Sequence, residues 1–194
     1  MWWLIPIGIG VGLKLLYDSV SDDEYQARER WENKRVEVEK TIEEHQKNID
    51  IHLQESQESY DFYFLNELHY SSVQISNSAY QLLDDSRTSF NGINKMLKKA
   101  KEQKKMLQNK LDSYKKEKNN HKVNEMKEEL KMVNELRRNV FDDRDKLKLQ
   151  KESFLSEVQR LNHQTRELKE LIRDRCGAKG EDWYFRLEAR KLNR

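Results

Sequence analysis

From Val123 onward, apolar and polar residues alternate with a seven-residue beat. Met126, Val133, Val140, Leu147, Phe154, Leu161 and Leu168 follow one another at that spacing without a miss. Val123, Leu130, Val158 and Ile172 occupy the complementary position, which Arg137, Arg144, Lys151 and Thr165 interrupt. Sustained apolar residues in two of seven positions predict a long helix with a coiled-coil seam, here with a polar middle. Long basic stems at such positions cover apolar surface while their heads reach water.

An earlier stretch keeps its own register, with Ile93, Ala100, Leu107 and Tyr114 at one position and Leu97 and Leu111 at the other. The two registers do not join, because twelve residues separate Tyr114 from Met126 and the polar run "KKEKNNHK" lies between them. Asparagine tolerates the left-handed conformation, so Asn119, Asn120 and His121 are expected at the tip of an antiparallel helical hairpin, the alternative being one helix with a skipped phase. Upstream, Trp31, Val38, Ile42, Ile49 and Leu53 form a helical stripe, and "YDFYFLNELHY" follows as an aromatic cluster suited to a junction between helices. Asn91 and Gly92 then signal a turn, and Gly177 a helix stop, after which Asp182 can cap a short terminal helix.

The opening "MWWLIPIGIGVGLKLLY" stands apart from all of this. Only Lys14 in it is charged, and no site for signal-peptide cleavage follows. Sixteen residues as a helix reach about 24 Å, marginal for a bilayer core of about 30 Å. With Trp2, Trp3 and Lys14 at the membrane interface, the segment is expected to be an anchor, and Gly8 and Gly12, four apart, to be a face on which two such helices pack. Basic residues after the segment then place the long C-terminal part in the cytoplasm. The expected organisation is all-α: a membrane anchor helix over 1–17, an acidic helical region over 18–92, a coiled-coil helical hairpin over 93–176 within an elongated bundle, and a short aromatic and basic helix over 177–194.

Composition agrees with helices, since one proline and six glycines in 194 residues leave few tight turns, and 37% charged against 36% hydrophobic is poor material for a thick core. The net charge of +2 is unevenly placed. Residues 18–85 carry 17 acidic and 6 basic side chains, whereas residues 93–122 carry eleven lysines against Glu102, Asp112 and Glu117. Neighbouring segments of opposite sign are expected to pair with each other. Nucleic acid is the weaker explanation of the lysines, because Tyr114 is the sole aromatic residue there that could stack on a base.

No reaction motif is present. None of His45, His52, His69, His121 and His163 has Glu three residues before it, and no pair has the zinc-protease spacing, so neither a metal nor a cofactor is expected. His45 and His52, seven apart, read as polar seam positions. Cys176 beside Arg175 could have a lowered pKa, but no base stands ready for it. The sequence therefore points to a non-enzymatic membrane scaffold or assembly component that forms a homo-oligomer, with an oligomeric pore-former as the competing reading. A protein partner is expected at Trp183, Tyr184, Phe185, Arg186 and Arg190, where aromatic and arginine side chains combine as at interface hot spots.

Overall fold

The computed structural model describes residues 19–55 and 61–192. They form four helices, α1 (Asp22–Glu55), α2 (Phe62–Lys116), α3 (Asn120–Arg175) and α4 (Gly177–Leu192), with no strand among them. Helix accounts for 95% of these residues, so any side chain the protein positions is positioned on a helix face. Two compact units are distinguished. Of the described residues, unit 1 holds 19–29 and Asp85–Gln150, and unit 2 holds Arg30–Asp84 and 151–192.

In unit 1 the chain reverses between α2 and α3. Lys118 adopts the left-handed conformation at φ 56°, its amide donates to the Lys115 carbonyl at 3.2 Å, and the Asn119 amide donates to the Tyr114 carbonyl at 3.1 Å. This pair of bonds is a Schellman closure, which uses two carbonyls that the end of α2 would otherwise leave unpaired. The left-handed residue is thus a lysine and not one of the expected asparagines. Asn119 is needed one step later, where its Oδ1 accepts the Lys122 amide at 3.2 Å and caps α3. Beyond the turn, Leu107 and Leu111 of α2 pack with Met126, Leu130 and Val133 of α3, flanked by Tyr114 and Val123.

The turn expected at Asn91 and Gly92 does not occur, because α2 continues through both residues. A Cβ at Gly92 would lie 3.2 Å from the Glu24 Cβ and 3.3 Å from Val20 Cγ1, so this glycine admits a close neighbour and does not break the helix. The start of α1 reaches that neighbourhood through a capping box. The Ser21 amide donates to Glu24 Oε2 at 3.0 Å and the Glu24 amide donates to Ser21 Oγ at 3.4 Å. The other Glu24 oxygen meets Lys95 Nζ at 2.8 Å. Burial pushes this carboxyl up, but the Lys95 ammonium and the Ser21 donors outweigh it and hold it below its ordinary value.

Unit 2 packs α1, α2 and α3 in alternating directions. His45 lies against Ser72 and His52 against Phe64, so α1 and α2 are antiparallel there; Ser76 and Asn162, together with Leu65 and Leu168, show the same for α2 and α3. Trp31 is fully buried and meets Phe154 edge to face at 5.4 Å, with Ile42 and Ile49 completing the α1 stripe. Every residue of the seven-spaced series from Met126 to Leu168 is buried. At the interrupting positions, Arg137 and Arg144 lay their guanidinium groups on Phe141 at 5.2 and 4.8 Å, and Thr165 returns its hydroxyl to the Leu161 carbonyl at 2.7 Å.

The expectation of a single-pass membrane protein with a cytoplasmic C-terminal part is corrected. No helix among the described residues is long and apolar enough to cross a membrane. Each helix confines its apolar residues to a stripe and carries charge over the rest of its circumference, which the hydrocarbon layer does not accept. The apolar opening, with Trp2, Trp3, Gly8, Gly12 and Lys14, lies outside the described residues.

Two substitutions test the reversal and the helix ends. Lys118→Gly is expected to stabilise the protein by roughly 0.5–1 kcal/mol in urea melts, because glycine enters the left-handed region without the Cβ penalty. Gly180→Ala is expected to destabilise it by about 1–3 kcal/mol, since the new Cβ would fall 2.1 Å from the Ile172 carbonyl oxygen and the backbone there would have to shift.

Candidate interaction surfaces

The C-terminal helix is built onto unit 2 from its first turn. Gly177, at φ +59°, ends α3, and α4 begins at once, so Asp182 lies inside α4 and does not cap its start. Gly180 is buried against the last turn of α3, and the missing side chain is what permits that approach. Trp183 then packs on a cluster formed by Leu65, Leu168 and Ile172, with Phe62, Leu68, Leu171 and Cys176 around it. Its ring meets Phe62 at 6.4 Å and His69 at 5.0 Å, both edge to face. Tyr184 carries Lys169 Nζ at 4.4 Å and the Arg173 guanidinium at 4.9 Å from its ring centre. Glu188 closes this side by accepting from Lys169, and from Lys191 at 2.9 Å.

The five residues expected to bind a partner are thereby divided. Trp183 and Tyr184 are half-buried and hold the helix in place, while Phe185 is 63% exposed and Arg186 and Arg190 are exposed beside it. Helical spacing puts Ala178, Phe185 and Ala189 on the face turned away from Trp183. Arg186 flanks that apolar strip on one side, with Glu181 and Glu188 on the other, while Lys179 and Arg190, four before and seven after Trp183, lie nearer the Trp183 side. The aromatic cluster at the start of α2 is also divided. Phe62 and Leu65 turn inward, whereas Tyr63 and Tyr70 are exposed and Phe64 meets His52 at 4.7 Å.

Between these ends lies a layer of polar contacts in which buried Gln46, Ser72, Ser76 and Gln164 meet more exposed partners. Gln46 donates to the Glu157 carbonyl at 3.2 Å and accepts from Arg160 Nε at 2.9 Å. Ser76 donates to Asn162 Oδ1 at 2.7 Å, Asn162 donates to the Tyr80 hydroxyl at 3.0 Å, and Gln164 donates to Asp50 at 2.5 Å. Ser72 Oγ lies 2.7 Å from His45 Nε2, and its hydroxyl also reaches the Leu68 carbonyl at 3.0 Å. These pairs join specific positions on neighbouring helices, and contacts of this kind fix register more than they add stability. The arrangement offers no reactive constellation. Burial, with Asp61 nearby, pushes the Cys176 thiol up, the reverse of what Arg175 next to it suggested, because the sulfur is turned into the Leu65 cluster. No group of three or more histidine, cysteine or carboxylate residues among those described could hold a metal ion.

Unit 1 presents a different surface. Of its eleven lysines over 93–122, Lys95 pairs with Glu24, Lys99 with Glu102 and Lys115 with Asp112; no other has an acidic partner among the described residues. Among the described residues, the expected pairing of the acidic and lysine-rich segments thus reduces to the Glu24–Lys95 contact. A shallow groove of about 430 Å³ runs along α3 on the same unit, lined by Lys127, Leu130, Lys131, Asn134, Glu135 and Arg138.

The chain matches no protein-family model, no curated protein and no solved structure. Sequence reasoning missed His69 and Lys169 as supports of the terminal helix. Their only signal was a position one helical turn from other apolar residues, which does not tell a histidine that faces a tryptophan from one in water.

Burial, with the Lys169 and Lys191 charges after it, lowers His69 to about 4, and burial also lowers His45. Each histidine takes up its proton in the unfolded chain near pH 6.5 but in the folded one only at lower pH, so stability is fully present above pH 6.5 and is lost as pH falls toward 4. The melting temperature is expected to fall as pH drops from 7.5 to 5, with His69 contributing the larger part. His69→Phe, which keeps a ring against Trp183, is expected to make that fall shallower in paired thermal melts.

Proposed function

We propose that the chain is a non-enzymatic helical scaffold or assembly component that takes a protein partner on the outer face of α4. The observation that carries this reading is the division of labour within "DWYFR". Trp183 and Tyr184 anchor the helix to its own unit, so Phe185, Arg186 and Arg190 stand on a rigid support and lose little freedom on binding. An exposed aromatic with arginines at its edge is the composition of an interface hot spot, with the charged flanks forming its rim. The buried seven-residue stripe supports the rest of the proposal, since long helices packed along such stripes serve as a framework for a binding face.

Phe185 replaced by a photo-crosslinking phenylalanine analogue in the full chain is expected to give one discrete adduct in the cells that make the protein. The mass of the adduct separates a second copy of this chain from a different protein. Phe185→Glu is expected to abolish co-purification of that species with the melting curve unchanged, whereas Trp183→Ala should lower stability by about 2 kcal/mol or more. No adduct at position 185, or one equally strong from a probe at exposed Met106, would refute the proposal.

A further inference from the structure

We infer that the outer face of α2 in unit 1 binds the phosphate backbone of double-stranded nucleic acid without reading its sequence. Lys98, Lys101 and Lys105 follow one another at intervals of three and four, which puts them on one helix face. That face is opposite the buried Met96, Ala100, Leu107 and Leu111. Lys116 extends the row, about 27 Å from Lys98 along the helix. All four are exposed and have no acidic partner among the described residues. The nearby carboxylates are otherwise engaged: Glu102 by Lys99, Asp112 by Lys115 and Gln108, and Glu117 by Ser113. Within the chain, therefore, nothing described neutralises the row, and an external polyanion can.

Three features select the kind of polyanion. A folded protein partner ordinarily buries an apolar anchor, and on this stretch of α2 Met106 is the exposed large apolar side chain, set to the side of the row. Single-stranded nucleic acid is held largely by stacking on aromatic rings, and Tyr114, the aromatic residue of this stretch, packs on the hairpin core beneath the Lys122 ammonium. Lysine without arginine is the composition of point-charge contact to phosphate, as opposed to bidentate reading of base edges. A rigid helix with a straight row of ammonium groups suits the rigid edge of a duplex.

The test is fluorescence polarisation of a labelled 30-base-pair DNA duplex with the full chain, at 50 and 200 mM KCl. Four phosphate contacts predict a loss of affinity on the order of 10²-fold across that range. Lys98→Gln, Lys101→Gln and Lys105→Gln together are expected to weaken binding about tenfold or more at 50 mM and to make the log–log salt slope shallower by about 3. Lys34→Gln, Lys40→Gln and Lys47→Gln together remove the same charge from α1 in unit 2 and are expected to bind like the parent. Parent-like melting of both triple variants shows that the comparison reports the surface and not the fold, and if the α2 triple melts early, Lys105→Gln with Lys116→Gln replaces it. No binding at 50 mM, equal weakening by the two triples, or displacement of the duplex by poly-L-glutamate at matched charge, which would mark an acidic protein segment as the occupant, would overturn the inference.

Discussion

Burial of every seventh residue of α3, from Met126 to Leu168, is the constraint on which the other contacts depend. A chain with one proline and 37% charged residues cannot enclose a core by winding loops around it, so it buries apolar surface only by laying long stripes against one another. Once α3 supplies such a stripe, α2 must return along it. The closure at Lys118 is therefore tolerated although a lysine sits in a conformation that costs about 1–2 kcal/mol relative to its right-handed form. The packing of Leu107 and Leu111 on Met126, Leu130 and Val133 offsets that strain, because reversal anywhere else would slide one stripe past the other.

The polar contacts of unit 2 follow from the same constraint. A stripe repeating every seven residues looks nearly the same after a shift of seven, so apolar burial alone does not choose one register. Gln46 to Glu157 and Arg160, Ser76 to Asn162, and Gln164 to Asp50 cannot all be satisfied in a shifted arrangement. Leaving one such group buried and unpaired costs about 1–3 kcal/mol. Serines at Ser72 and Ser89 return their hydroxyls to carbonyls four residues back, which lets small side chains occupy buried positions without an orphaned donor.

What was legible in the sequence was periodic, and what was not was tertiary. The all-helical class and the buried series of α3 follow from spacing, as do Trp31, Ile42 and Ile49. Gly92 was read as a turn because glycine usually marks one, yet it and Gly180 are sites of close approach whose neighbours, Glu24 and Ile172, no local pattern names. The capping box of Ser21 and Glu24 was available as a motif, but its carboxylate also meets Lys95, and no local pattern announces that second use. Trp183, Tyr184, Phe185, Arg186 and Arg190 were read together as one partner site, but which of them turn inward depends on where α3 stops.

Charge shows the limit of reading complementarity along a line. Opposite segments adjacent in sequence neutralise one another only if the fold brings their faces together, and faces are set by the apolar stripes before charge has any say. Here the stripes put Lys98, Lys101 and Lys105 on the side of α2 away from its core neighbours, while the acidic side chain that does cross to a lysine, Glu24, reaches Lys95 at a point where Gly92 lets the helices approach. A row of lysines held outward by a buried stripe keeps its charge, because drawing it inward would desolvate each ammonium without a waiting carboxylate. The uneven charge of this chain is thus a consequence of how its core is made, which leaves Lys98, Lys101 and Lys105 in unit 1 without an acidic partner among the described residues.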